Sequence, residues 1–339
     1  MRGAGNAAGP GARHPRFTRI PHAGAMAHVP RIIGHRGAPA LAPEHTRASY
    51  RLAFAGGADL VEPDVVPTRD GALAVLHGPL LDETTDVAAR PEFADRYSRK
   101  RFGRIAASGW FAEDFDWDEL RELRAVERWP EARPASAALD GAEGPLRLRE
   151  LVELVAEEAP GTGLVIELKH DARALLLGHD FVDLLERELD GLWDSPALEG
   201  VAWESFETAA LHRLRERGIP GKRIALVGET LETMDGEEGP ERLTAEGLDD
   251  LAEWGHGVSV RTGLLVPYPG ERAIARGRSL VTAAHERGLE VMTFTLRGEP
   301  RFVPEAWTDA VAHWRALAAT GVDAVFADDP AAVRAALAG

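Results

Sequence analysis

The chain has 339 residues, 45% of them hydrophobic, with 39 Lys and Arg against 55 Asp and Glu, a net charge of −16 and no Cys. That acidic balance, with no long basic run, argues against a nucleic-acid partner, which is held by clustered cations that neutralise its phosphates. The missing Cys excludes disulfides, a thiolate nucleophile and a Cys-bound zinc, and no stretch approaches the roughly 18 apolar residues of an integral membrane segment.

Residues 1–30 are rich in Gly, Ala, Pro, Arg and His and lack the continuous apolar run of a secretory signal. They are expected to form a disordered leader, with Met26 as an alternative start, and the absent signal points to a cytoplasmic protein. From Arg31 onward one grammar repeats: an apolar run, an amphipathic stretch, a Gly, another apolar run. Strands are expected near Arg31–His35, Leu60–Val66, Leu164–Lys169, Val201–Phe206, Arg223–Val227, Gly257–Val260, Val291–Leu296 and Ala324–Ala327. Amphipathic segments stop at Gly56 and Gly57, Gly218, Gly288 and Gly321, where a left-handed residue closes the last helical turn and lets the chain re-enter a strand. Eight such units predict an α/β fold, the (β/α)8 TIM barrel, with a doubly wound open sheet as runner-up.

A ninth run, "ALAVLHG" at 72–78, follows the second strand after only "TRDG". A parallel crossover needs about a dozen residues, so this run returns as a hairpin arm. With Asp70 and Gly71 as a two-residue type I′ turn, His77 stands directly opposite Asp64. The interval from His77 to Leu164 exceeds what a barrel loop and helix require. Residues 79–145 are therefore expected to be an inserted lobe over the C-terminal ends of the strands, where barrel active sites lie.

Those ends carry unusual side chains. His35 and Arg36 close the first strand, Glu62 and Asp64 share one face of the second, and Glu167 and Lys169 share one face of the third. Three converging carboxylates would repel by about 4 kcal/mol per pair at ~4 Å and an effective dielectric near 20, a cost that a bound cation removes. All-oxygen ligands suit a hard divalent ion, Ca²⁺ or Mg²⁺. A cation between carboxylates, Arg36 and Lys169 as anion clamps, and His35 and His77 to give and take protons are the parts needed for displacement at a phosphodiester. There is no G-x-S-x-G and no Walker P-loop.

"GHRGAPALAPEHT", "GADLVEPDVVPTRDGALAVLH", "LVIELK", "ESF" and "GVDAVFADDP" resemble, in order and spacing, the glycerophosphodiester phosphodiesterase family, from about Arg31 to the C-terminus. "PEHT", "TTDVA" and "FTLR" are more similar to its longer, periplasmic-type bacterial branch. The resemblance implies a metal-dependent hydrolase that splits a small-molecule glycerophosphodiester into glycerol 3-phosphate and an alcohol. It implies His35 and His77 as the acid/base pair, Glu62, Asp64 and Glu167 as metal ligands, Arg36 and Lys169 on the phosphate, and Glu44 in support. One position departs: the family usually has Asp after the hairpin His, and here stands Gly78. Competing readings are a lysophospholipase D-like or phosphoinositide-cleaving phosphodiesterase, or a barrel that binds phosphodiesters without turnover.

Overall fold

The computed structural model describes residues 29–102, 105–228 and 239–338. The expected leader lies outside the described residues apart from Val29 and Pro30.

Eight strands form the frame: β1 Arg31–His35, β2 Leu60–Glu62, β3 Gly163–Leu168, β4 Ala202–Ser205, β5 Lys222–Val227, β6 Gly257–Arg261, β7 Glu290–Leu296 and β8 Ala324–Ala327. Each pairs in parallel with the next, and β8 pairs with β1, so the sheet closes into the (β/α)8 barrel. Closure rules out the open-sheet alternative. The helix stops act as expected: Gly218, Gly288 and Gly321 have φ of 79°, 77° and 89°, and after the first helix it is Gly57, at 77°, that takes the left-handed conformation.

Period-two alternation sorts each strand between two cores. Ile33, Leu60, Val165, Ala202, Ile224, Met292 and Phe326 pack together inside the barrel. Their neighbours Ile32, Val61, Ile166, Trp203, Ala225 and Val325 belong to the larger core under the helices. Two residues beyond an inward apolar side chain, on the same face, stands a polar one at the barrel mouth: His35 above Ile33, Glu62 above Leu60, Glu167 above Val165, Glu204 above Ala202 and Asp328 above Phe326.

The second strand departs from expectation in two ways. It is interrupted at Pro63, which has no N–H to give a ladder, and resumes as Asp64–Pro67. That arm pairs antiparallel with Leu73–Val75 in the register Val65↔Val75, Val66↔Ala74, Pro67↔Leu73, one residue away from the expected pairing. The turn is a three-residue loop: Thr68 N donates to Ala72 O at 2.9 Å and Gly71 takes φ 80°. The Thr68 hydroxyl, bonded to Asp70 Oδ1 at 2.5 Å and accepting from Ala72 N at 2.9 Å, favours this longer loop over type I′. Leu76, not His77, therefore opposes Asp64, its N–H donating to Asp64 O at 3.1 Å.

Residues 79–145 fold over this hairpin. Leu81, Val87, Phe93, Phe115, Trp117, Leu120 and Leu123 form a small core with Val66, Ala74 and Leu76 of its arms. Leu146–Arg147 then pairs with Ala74 and Val75, returning the chain to the helix Leu148–Glu158 of the barrel wall. Among the described residues no helix is long and apolar enough to cross a membrane.

Candidate active site

Strand register places the acidic groups at one level. His35 is paired with Glu62, Asp64 with Glu167, and Glu167 with Glu204. Glu62, Asp64 and Glu167 each offer an oxygen within 4.8 Å of the others, and all three are buried. Lys169 Nζ lies 3.1 Å from Asp64 Oδ1 and 2.8 Å from Glu167 Oε1. The anionic charge is nonetheless underpaid. Burial, with the Asp64 charge beside it, holds the Glu62 carboxyl well above its ordinary range. Burial lifts Glu167 to about 8, Lys169 only partly opposing it and Asp64 adding to it, and burial with Glu167 and Asp64 lifts Glu204. Asp64 goes the other way, because Lys169 and Arg36 outweigh its burial.

A further positive charge would be stabilised among these carboxylates. Among the described residues Asp64 Oδ1 and Glu167 Oε1 are buried without a hydrogen bond and lie against the Lys169 ammonium. Three carboxylate oxygens of this kind fit a hard divalent cation, which would return Glu62 and Glu167 to their ionised forms.

Arg36 is set by a strained turn directly after β1. Its φ is 59°, in the left-handed region, a conformation that costs a non-Gly residue of order 1 kcal/mol or more. Glu62 secures it: the Arg36 N–H donates to both Glu62 O and Glu62 Oε2 at 2.9 Å. The guanidinium bonds Glu44 through Nη1 at 3.2 and 3.1 Å, and its Nε lies 3.1 Å from Asp64 Oδ2. Burial would raise the Glu44 carboxyl, but Arg36 and Arg128 outweigh it and hold it at about 2. Arg36 and Lys169 both line the cavity, yet here their charge is turned toward carboxylates.

The two histidines have different partners. His35 Nδ1 lies 2.6 Å from Asp328 Oδ1; burial and then Arg36 lower the ring to about 4 against the pull of Asp328. Asp328 also accepts from Arg297 Nε at 2.9 Å and from Arg133. His77 Nδ1 lies 3.1 Å from Arg128 Nη2, and burial, then Arg36 and Lys169, push it well below its ordinary value. Guanidinium can only donate, so Nδ1 of His77 must accept. A Cβ at Gly78 would meet nothing within 4 Å, so the position where the resemblance expects Asp is open space, and the group on His77 Nδ1 is a cation from the lobe.

His35, Arg36, Glu62, His77, Glu167 and Lys169 therefore line one cavity of about 550 Å³, with Glu204, Arg128, Arg297, Trp129 and Phe302 completing its walls. Every residue singled out in the sequence reaches this cavity or touches one that does. Four others were missed. Asp328 and Glu204 stand in "FADDP" and "ESF" at strand ends, where the inward pattern could have found them. His45 orients Asp64, with Nε2 at 3.0 Å from Oδ2 and Nδ1 at 2.9 Å from the Tyr50 hydroxyl. Arg128 comes from the lobe, and nothing local in the sequence marks it.

A closed barrel with acids, histidines and cationic side chains at the C-terminal ends of its strands is the arrangement of a barrel enzyme's active site. The glycerophosphoryl diester phosphodiesterase family model matches residues 35–332. The chain is 30% identical over 259 residues to "Probable glycerophosphodiester phosphodiesterase 1" of Mycobacterium tuberculosis, covering 75% of this chain and 81% of that one. It is 26% identical over 316 residues to glycerophosphodiester phosphodiesterase GDPD6 of Arabidopsis thaliana, covering 88% and 83%. A solved phosphodiesterase of Oleispira antarctica, in complex with the product sn-glycerol-3-phosphate, shares the fold with a TM-score of 0.62 at 21% identity, over 91% of this chain and 97% of that one. The chain belongs to the glycerophosphoryl diester phosphodiesterase family and is an enzyme of that class.

Proposed function

We propose that the chain hydrolyses small-molecule glycerophosphodiesters to glycerol 3-phosphate and an alcohol, with His35 and His77 handling the protons and Glu62, Asp64 and Glu167 holding one divalent cation, Ca²⁺ or Mg²⁺. The observation that carries this reading is that both histidines line the same cavity as Glu62 and Glu167, and these two carboxylates, with the buried Asp64 behind them, are close enough to share one ion. The hydrogen bonds suggest how the work divides. Asp328 accepts from Nδ1–H of His35 and leaves Nε2 free to take the nucleophile's proton. Arg128 donates to Nδ1 of His77, so that ring carries its N–H at Nε2 and can hydrogen-bond the leaving oxygen; giving a proton to it outright requires the imidazolium, with Arg128 turned off Nδ1. The cation, when bound, supplies charge neutralisation for the phosphoryl group. Lys169, drawn here onto Asp64 and Glu167, would then be released from part of that duty to face the phosphate, with Arg36 and Glu44 keeping the turn beside it rigid.

Residues 31–339 act as the catalytic barrel and residues 79–145 as a lobe that closes over it, contributing Arg128 and Trp129. The names of the relatives and the product held by the Oleispira antarctica enzyme support the choice of substrate. The test is release of glycerol 3-phosphate from glycerophosphocholine, glycerophosphoethanolamine, glycerophosphoglycerol and glycerophosphoinositol, each with Ca²⁺, Mg²⁺ or chelator. Metal-dependent release from at least one is expected. Saturable binding of the same compounds without release would turn the conclusion to a binding barrel.

A further inference from the structure

A second cavity, of about 250 Å³, adjoins the first. His77, Glu167, Lys169 and Phe206 line both, whereas His35 lines the first alone. Gly78, Pro79 and Leu80, where the chain leaves the hairpin for the lobe, form part of the second cavity's wall, together with Leu168 at the end of β3. Its volume approaches that of the smallest ligand pockets, about 300 Å³.

In a phosphoryl displacement the attacking and leaving oxygens lie roughly in line, on opposite sides of the phosphorus. With His35 serving the attacking oxygen and His77 the leaving one, the phosphoryl group sits where the two cavities meet, beside Lys169. The leaving oxygen then points past His77, into the second cavity. That space is open at one position in particular. Gly78 is half-buried, and a Cβ built on it would meet nothing within 4 Å. Its backbone lies outside the left-handed region, so the conformation does not itself require glycine.

The charged groups of the second cavity are engaged within the protein. Glu83 lies 3.3 Å from Arg128, Glu207 accepts from the Ala172 N–H at 2.7 Å, and Lys169 contacts Asp64 and Glu167. Burial, then Lys169, lowers the His170 ring to about 4, so it is neutral near pH 7. Space, rather than an unmatched charge, is what this cavity offers.

We propose that the second cavity receives the alcohol half of the diester, and that the absent side chain at Gly78 is what admits an alcohol as bulky as a six-membered ring. This specificity role rests on the hydrolysis and the division of histidine roles proposed above. The test compares the methyl, glyceryl and inositol esters of glycerol 3-phosphate, three uncharged alcohols of rising size, with the full-length wild type, Gly78→Ala and Gly78→Leu. Filling the space should lower kcat/KM for the inositol ester relative to the methyl ester by about threefold in Gly78→Ala and about tenfold or more in Gly78→Leu, the usual scale of overpacking. Any disturbance of the neighbouring His77 falls on all three esters and cancels in that ratio. Inhibition by glycerol 3-phosphate, which has no alcohol half, should weaken far less than use of the inositol ester. Melting curves show whether each variant folds, and if Gly78→Leu does not, the Gly78→Ala ratio decides. An unchanged ratio, or inhibition by glycerol 3-phosphate weakened as much as use of the inositol ester, would overturn the proposal. If the wild type binds the esters without releasing glycerol 3-phosphate, hydrolysis fails as a reading, and the same ratio taken from dissociation constants still judges the cavity.

Discussion

Replacing Asp328 with Asn removes one charge and almost no volume, at a residue only 1% exposed. Its carboxylate accepts from His35 Nδ1 at 2.6 Å, from Arg297 Nε at 2.9 Å and from Arg133. Arg133 keeps Glu299 as a partner, whereas Asp328 is the carboxylate paired with Arg297. Breaking one side of such a buried network costs about 3–5 kcal/mol. With each kcal/mol worth roughly 2–4 °C in a large domain, the melting temperature should fall by about 10 °C. The effect on catalysis should be larger. An Asn amide can offer N–H to Nδ1, which shifts the ring proton to Nε2 and blocks the atom proposed to accept the nucleophile's proton. A wrong tautomer of this kind costs about 10⁴ in kcat in a serine protease triad, and a loss of 10³ to 10⁴ with little change in KM is expected here. The pH dependence adds an independent check. Burial raises the Asp328 carboxyl, but Arg297 and His35 outweigh it and hold it far below its ordinary value. A depressed carboxylate contributes fully above its unfolded pKa of about 3.9 and loses that contribution as pH falls through the folded value. The stability gap between wild type and Asp328→Asn should therefore be flat from about pH 5 to 8 and close below about pH 4. Steady-state kinetics and melting curves across pH measure all three, and a variant with wild-type kcat would refute the role assigned to His35's partner.

Exhaustive chelation should abolish activity, add-back of Ca²⁺ or Mg²⁺ should restore it, and Glu167→Gln should shift the metal titration to higher concentration while the fold persists; full activity after chelation would remove the cation from the mechanism. Arg36→Lys keeps the charge but loses the paired contact to Glu44 and the Nε contact to Asp64, so turnover should fall at least about tenfold by the loss of roughly 1.5–3 kcal/mol of charge-assisted bonding, and wild-type kinetics would place Arg36 outside the site. His35→Ala and His77→Ala should each lower turnover by about 10² to 10⁴. A p-nitrophenyl ester, whose leaving group needs little acid, should rescue His77→Ala and not His35→Ala, and equal rescue of both would contradict the division of roles.

Much of the site could be read along the chain because barrel strands obey a period of two and end at a common face. His35, Glu62, Asp64, Glu167 and Lys169 lie at predicted strand ends, on the faces that pattern assigns. The Gly punctuation marked where four of the helices yield to strands, and the surplus length after His77 pointed to an insertion there. These are local signals, carried by residues a few positions apart.

Other features depend on contacts that no local pattern encodes. The hairpin register turned on whether the loop held two residues or three, and the Thr68 hydroxyl together with the positive φ of Gly71 decided it; the shift by one moves Leu76, rather than His77, opposite Asp64. Asp328 becomes the partner of His35 across 293 positions of chain because closure of the barrel sets β8 beside β1. Arg128 reaches His77 across 51 positions because the lobe packs on the hairpin. The sequence by itself determined the strands, their inward faces and the carboxylates and histidines at their ends, since these follow from backbone geometry. Which groups tune those residues was decided only by tertiary structure, because a buried charge takes whatever partner the completed fold brings within hydrogen-bonding distance.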